Sequence, residues 1–307
     1  AVFGGKYTNP PKTITDIKTK MQELNDLGCD FFKFYFEDKP LYGNKDKSFN
    51  MFSLETARVI RKIADKHGKM IAVHSTFKKG SQRAIAARFD TIEHSLVDGV
   101  YSSKEAREMA LNKIAVIPTM SVATYLSMNY KSKGYFDNDE VRFFAEQRKK
   151  ARLHIKQNVI NELQNNYYKF IDWLDAYLED RDLAMIGKVY PKRVHGLAYY
   201  MPENIKILQE NEVKIGIGTD GGTQITFPGC LEIEFEALKR YGYTNKEILR
   251  MATLGNMEIL NLDKELGSLE KGKYADMVLL TDNPLNDISA ILDIKKVFKN
   301  GRLYYQN

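Results

Sequence analysis

Four residues stand out by where they fall: Lys33 in DFFKFYF, His74 closing KMIAVH, His94 just after DTIE, and Asp220 closing VKIGIGTD. Each lies within or at the end of a run that otherwise reads as an apolar strand. Neutral imidazole and carboxylate suit zinc and similar divalent ions, so two imidazoles and a carboxylate brought together would make a hydrolytic metal site. An ammonium would repel the cation, so Lys33 must be neutral, point elsewhere, or be converted chemically into an anionic ligand. Each residue also has a plain structural reading. A histidine at a strand end is more often a hydrogen-bonded structural residue, a lysine in a strand snorkels at an edge, and an aspartate in Gly-Thr-Asp-Gly-Gly makes a turn. Their shared placement is what argues for chemistry.

The elements that must position them alternate. Apolar side chains at Ile14, Ile17, Met21, Leu24 and Leu27 predict an amphipathic helix closed by Gly28, followed by a strand over Asp30 to Phe36. That strand is almost continuously apolar, as expected of one buried on both faces of a parallel sheet. A helix from a Ser53 N-cap and the strand Lys69 to His74 follow. Then come helix Ser81 to Ala87, strand Asp90 to Glu93, helix Ser103 to Leu111 and strand Ile114 to Ile117. From about 121 to 200 the rhythm gives way to a long helical pattern, read as an inserted hairpin. It resumes with a helix near Glu203 to Asn211, the strand Val213 to Asp220, and helices over Leu231 to Arg240 and Asn245 to Thr253. Short strands end the chain at Met277 to Leu280, Ile294 to Phe298 and Arg302 to Tyr305, with Asn300-Gly301 suited to a type I′ turn. Strands alternating with helices predict a parallel α/β barrel or doubly wound sheet. In a barrel the carboxyl ends of all strands open on one face, where distant residues converge.

Composition narrows the class. The 307 residues are 43% hydrophobic and 28% charged, which suits a soluble globular protein and excludes disorder, collagen and coiled coil. A net charge of +6, spread along the chain, makes nucleic acid an unexpected partner. No run of 18 apolar residues is present, so no membrane span is expected. Cys29 and Cys230 are too few for a disulfide framework and form no metal knuckle, which points to buried free thiols in a reducing, cytoplasmic setting.

Three segments resemble the amidohydrolase superfamily, in its imidazolonepropionase-related and prolidase-like branch. They are VHSTFKKGSQRAIAARFDTIEHS (Val73 to Ser95), IGIGTDGG (Ile215 to Gly222) and ATLGNMEILNLDKELGSLEKGKYADMVLLTDNPL (Ala252 to Leu285). The resemblance covers almost the whole chain outside the insertion near 121 to 200. It implies a (β/α)8 TIM barrel, here incomplete with strands four to eight, and a partial small β-sandwich domain. The expected division is a partial barrel over 1–260, carrying the insertion, and the carboxyl-terminal part of the small β domain over 261–307. The resemblance further implies that Lys33 is the strand-four lysine that reacts with carbon dioxide, giving a carbamate that bridges two divalent metals. His74 and His94 would then be the ligands of strands five and six, and Asp220 the strand-eight carboxylate. The cofactor implied is one or two divalent ions, zinc foremost, with carbamylated Lys33. Metal-activated water would attack a carbonyl, and Asp220 would take its proton and pass it to the leaving nitrogen.

Two departures qualify this. The family continues strand five as His-Ala-His-Gly, whereas here it reads His74-Ser75-Thr76-Phe77. The strand-one His-x-His pair is absent, since none of the five histidines lies two positions from another. Lys33, His74 and His94 suffice for one metal position, so at most one tightly bound ion and little activity are expected of this chain alone. The chain begins at Ala1 without an initiator Met, and a truncated start is the expectation. Substrate contacts are expected from the insertion and from His195 in KRVHGLAYY, and the expected substrate is a small amide, cyclic amide or dipeptide. The competing reading is a non-catalytic descendant that keeps the scaffold for binding or assembly.

Overall fold

Local signals begin and end the helices of a computed structural model that describes residues 13–40, 48–122, 196–221 and 231–307. Helix α1 (Ile14–Asp26) starts at Thr13, whose side chain accepts from Asp16 N while the Asp16 carboxylate accepts from Thr13 N, a reciprocal capping box. Ser53 caps α2 (Leu54–Lys66), and Ser102 with Glu105 forms a second box at α4 (Ser103–Leu111). Between them run β1 (Phe31–Tyr35), β2 (Met70–His74), α3 (Lys78–Ala87) and β3 (Thr91–Glu93), with β4 (Ala115–Ile117) following α4. Each β-α-β step reverses direction twice, so the four strands lie parallel, in the order β1-β2-β3-β4.

Two compact units divide the chain, one of Ala1–Ile117 and Glu203–Lys214, the other of Pro118–Pro202 and Ile215–Asn307. In the first, the core forms where sheet meets helices. Phe32, Ile71, Val73, Ile92 and Val116 from the strands are buried, as are Ile17, Ile60, Ile85, Met109 and Leu208 from the helices. The sequence reading of β1 as buried on both faces is corrected: Phe31 and Lys33 are exposed while Phe32 is buried. The strand lies at the edge of the described sheet, with Phe32 turned to the helices and Phe31 and Lys33 on the other face. Arg61 and Asp90 lock sheet to helix. Asp90 Oδ2 accepts from Arg61 Nη1 at 2.5 Å and from Ile71 N at 2.6 Å, while Arg61 Nη2 donates to Lys69 O at 2.9 Å.

The helix α5 (Gly196–Glu210) is longer than its sequence pattern suggested and accommodates Pro202 in its interior. The expected strand Val213 to Asp220 is reduced to a single bridge residue, Ile215, beside Lys214, whose carbonyl accepts from Val116 N at 3.0 Å. At Ile217 a side chain does the pairing instead: Asn256 donates from Nδ2 to Ile217 O at 3.0 Å and accepts from Ile217 N at 2.9 Å. Both backbone groups of Ile217 are thereby satisfied without a neighbouring strand. Helix α6 (Leu231–Arg240) precedes α7 (Asn245–Arg250), a π-helical turn at Met251–Gly255 and α8 (Asn256–Ile259), so the single helix expected there is bulged. The tail folds as an antiparallel sheet of β5 (Met277–Leu280), β6 (Ile294–Lys299) and β7 (Arg302–Gln306). Asn300 and Gly301 both take positive φ, 51° and 73°, as a type I′ turn requires. Among the described residues no helix is long and apolar enough to cross a membrane.

Candidate functional site

Strand alternation and parallel register decide which residues share a face. Phe32 pairs with Ile71, Phe34 with Val73, and Val73 with Ile92. This is the set turned to the helices. One residue along, Lys33 pairs with Ala72, Tyr35 with His74, and His74 with Glu93, so these stand on the opposite face. Lys33 and His74 therefore share the face away from the helices, two residues apart along the strands. His94 follows β3 in the left-handed region, at φ 76°, with its N–H bonded to Ile117 O at 2.7 Å. That backbone turn brings its ring edge-on to His74, centroids 4.5 Å apart at 68°. Tyr35 stacks on the other side of His74, 4.4 Å away and 16° from parallel.

The sequence reading missed Glu37, which follows β1. It is 1% exposed, and its Oε1 accepts from Thr76 N and, at 2.7 Å, from Thr76 Oγ1. The same oxygen lies 3.4 Å from His74 Nε2. Glu37 Oε2 and His74 Nε2 are both buried without a hydrogen-bond partner among the described residues. The available signal was an acid placed directly after an apolar run at the carboxyl end of a parallel strand, where sites gather. Burial pushes the Glu37 carboxyl up to about 8, against the pull of its Thr76 bonds. Burial also pushes His74 down to about 3, helped by the neighbouring positive charge of Lys33. A carboxylate nearby would ordinarily raise an imidazole; here desolvation of both groups outweighs their attraction.

Lys33, His74 and His94 meet part of what a divalent ion requires. His74 is a neutral imidazole, which is the form that binds metal. Among the described residues no three His, Cys, Asp or Glu side chains gather closely enough to hold an ion by themselves. Among the described residues the third candidate on this face is Lys33, and an ammonium does not fit. The lysine fits once carbamylated, which replaces the cation with an anionic pair of oxygens.

Asp220 belongs to the second unit, at φ 51° and exposed, on the segment that Asn256 holds. In the same unit Ser121 Oγ lies 2.7 Å from Glu234 Oε1 and 3.4 Å from Thr219 O, the carbonyl before Asp220. His195, Gly222, Cys230 and most of the expected insertion lie outside the described residues. Cys29 is a half-buried free thiol.

Known proteins similar to this one divide into two groups. By sequence, the chain is 32% identical over 178 residues to guanine deaminase of Pongo abelii, covering 44% of this chain and 39% of that protein. It is 28% identical over 161 residues to 5-methylthioadenosine/S-adenosylhomocysteine deaminase of Thermodesulfovibrio yellowstonii, covering 43% of this chain and 36% of the relative. By fold, it superposes on a Xaa-Pro dipeptidase with a TM-score of 0.70 at 20% identity, covering 100% of this chain and 64% of that one. The chain thus spans well under half the length of those two curated relatives and under two thirds of the dipeptidase. The likeness to the dipeptidase shows a shared TIM-barrel fold, of which the four parallel strands and their helices are the part seen here. The amidohydrolase family model matches residues 16–304. With that match running through both sheets and the helices between them, the chain belongs to the amidohydrolase family.

Proposed function

We propose that this chain is part of a metal-dependent hydrolase that cleaves a carbon-nitrogen bond in a small amide, cyclic amide or dipeptide. The observation that carries the reading is the pairing of His74 and His94 rings at 4.5 Å on the sheet face that also bears Lys33. In this reading His74, His94 and carbamylated Lys33 hold one divalent ion, zinc foremost. When bound, such an ion supplies Lewis acidity that lowers the pKa of a coordinated water to about 7. Burial keeps the His74 ring neutral across the physiological range, so its lone pair is available without competition from a proton. Asp220 takes the proton of the attacking water and returns it to the leaving nitrogen, which then departs as a neutral amine. His195 contacts substrate. The dipeptidase likeness supports a dipeptide; the two deaminases, whose names specify purine substrates, support hydrolysis of an exocyclic carbon-nitrogen bond as the second reading.

Metal analysis of the purified chain tests the site. At most one tightly bound Zn²⁺ per chain is expected, falling well below one in His74→Ala and Lys33→Ala. Supplied with ¹³C-bicarbonate, the wild type should show a carbamate carbonyl resonance that Lys33→Ala lacks. Two tight ions, or unchanged metal content in both variants, would overturn the assignment. A panel of Xaa-Pro and Xaa-Arg dipeptides beside guanine and 5-methylthioadenosine, run on a version of the protein carrying a His-x-His segment, separates the two substrate readings.

A further inference from the structure

We propose that Glu37 is a positioning residue for His74: clamped by Thr76, its carboxyl selects the flip of the imidazole about Cβ–Cγ and its tautomer, leaving Nδ1 as the ligand nitrogen. This deepens the preceding reading and rests on it in so far as His74 is a metal ligand.

The argument starts from the cost of burying a carboxyl. Glu37 is 1% exposed and has no Lys or Arg paired with it among the described residues, and a buried polar group persists only where it satisfies others. Its Oε1 satisfies two donors of Thr76, the backbone N–H and the hydroxyl. Thr76 lies two residues beyond His74 and Glu37 two residues beyond Tyr35, so the contact joins the carboxyl ends of β1 and β2 where their ladder stops. Phe36 N still bonds His74 O at 2.9 Å, which holds the two chain ends in register up to the clamp. The carboxyl is thus fixed in place before the imidazole is considered.

His74 has little freedom out of its ring plane, with Tyr35 stacked at 4.4 Å on one face and His94 edge-on at 4.5 Å. What remains is a half-turn about the Cβ–Cγ bond, which keeps the ring between these neighbours and decides where the two nitrogens lie. Nε2 lies 3.4 Å from Glu37 Oε1 without yet forming a hydrogen bond, and it has no other hydrogen-bond partner among the described residues. A shift of a few tenths of an ångström closes that gap to an ordinary N–H···O bond of about 3 Å. Oε1 already accepts from Thr76, so any proton on the carboxyl sits on Oε2 and Oε1 stays an acceptor. Nε2 therefore carries the ring proton, and Nδ1 is left with the lone pair. Ligating histidines are held this way by a carboxylate on the other ring nitrogen, and loss of that partner typically weakens metal affinity about 10–100-fold.

The test uses the intact 307-residue chain and reads His74 by ¹⁵N ring chemical shifts in metal-free protein, with Zn²⁺ affinity measured by chelator competition. The wild type should show the Nε2–H tautomer. In Glu37→Ala the two tautomers should mix and Zn²⁺ affinity should fall about 10–100-fold. Glu37→Gln, which keeps an acceptor for Thr76 and for Nε2–H, should restore most of both. If Glu37→Ala does not fold, Thr76→Val supplies the second variant, removing the hydroxyl arm of the clamp and giving a smaller change in the same direction. An unchanged His74 tautomer on loss of Glu37 or of the Thr76 hydroxyl overturns the proposal. Undiminished Zn²⁺ affinity in His74→Ala overturns the ligand reading instead, while the tautomer measurement, which needs no metal, still decides the role of Glu37.

Discussion

A carboxylate buried without a cation beside it makes stability depend on pH, and among the described residues Glu234 on α6 is the clearest case in the second unit. Its two oxygens accept from Met120 N at 3.0 Å, Ser121 N at 2.9 Å and Ser121 Oγ at 2.7 Å. Those donors favour the ionised form, yet burial outweighs them and pushes the group from its ordinary 4.5 up to about 7. Between these values the unfolded chain has lost the proton and the folded chain keeps it. The folded state binds more protons there, so stability falls as pH rises through the window, and is level above and below it. The expected contribution is about 2 to 3 kcal/mol in all. Urea unfolding at pH 5, 6, 7 and 8 should show this decline in the wild type and a flatter profile in Glu234→Gln. Parallel profiles would mean that the carboxyl stays ionised in the fold.

At the scale of elements, close approach and substitute pairing carry the load that regular ladders do not. Helix α3 begins so near the end of β1 that a Cβ on Gly80 would run into the Phe36 carbonyl oxygen and lie 2.5 Å from Ser75 Oγ. A backbone oxygen cannot swing aside as a side chain can. Gly80→Ala should therefore cost about 2 to 3 kcal/mol, read as a lower urea midpoint, because either α3 or the end of β1 must move. The same shift would disturb the Glu37 clamp, so weaker Zn²⁺ binding should accompany it. A wild-type midpoint would show that α3 has more room than this packing allows. The segment before Asp220 relies on Asn256 in the same structural sense. Asn256→Asp keeps the acceptor for Ile217 N but offers no donor to Ile217 O. A loss of about 1 to 3 kcal/mol is expected, the cost of one buried backbone acceptor left unsatisfied beside a carboxylate, and an unchanged midpoint would count against the clamp.

For the whole molecule, much of the fold was legible in the chain because its signals are local. The Ser53 cap, three-and-four apolar spacing and short apolar runs placed the first helices and the four parallel strands within a few residues. Asn300-Gly301 specified its turn because few other pairs accept positive φ at both positions. The segment Val213 to Asp220 was misread as a strand for the same reason that the others were read well. An apolar run reports burial, but pairing depends on a neighbour, and at Ile217 the neighbour is the amide of Asn256. The candidate residues Lys33, His74 and His94 were likewise visible as polar interruptions of apolar strands. Glu37 was not, since its importance comes from being carried across to Thr76, 39 residues away, by the parallel pairing of β1 and β2. Residue type and period by themselves determined the alternating elements and the kinds of ligand available, while the family rested on the resemblance of three segments. Tertiary structure alone decided that Lys33 and His74 share a face, that His74 is stripped of water and held neutral, and that a buried carboxyl stands beside it. These are effects of register and desolvation, which arise only when distant segments are packed together.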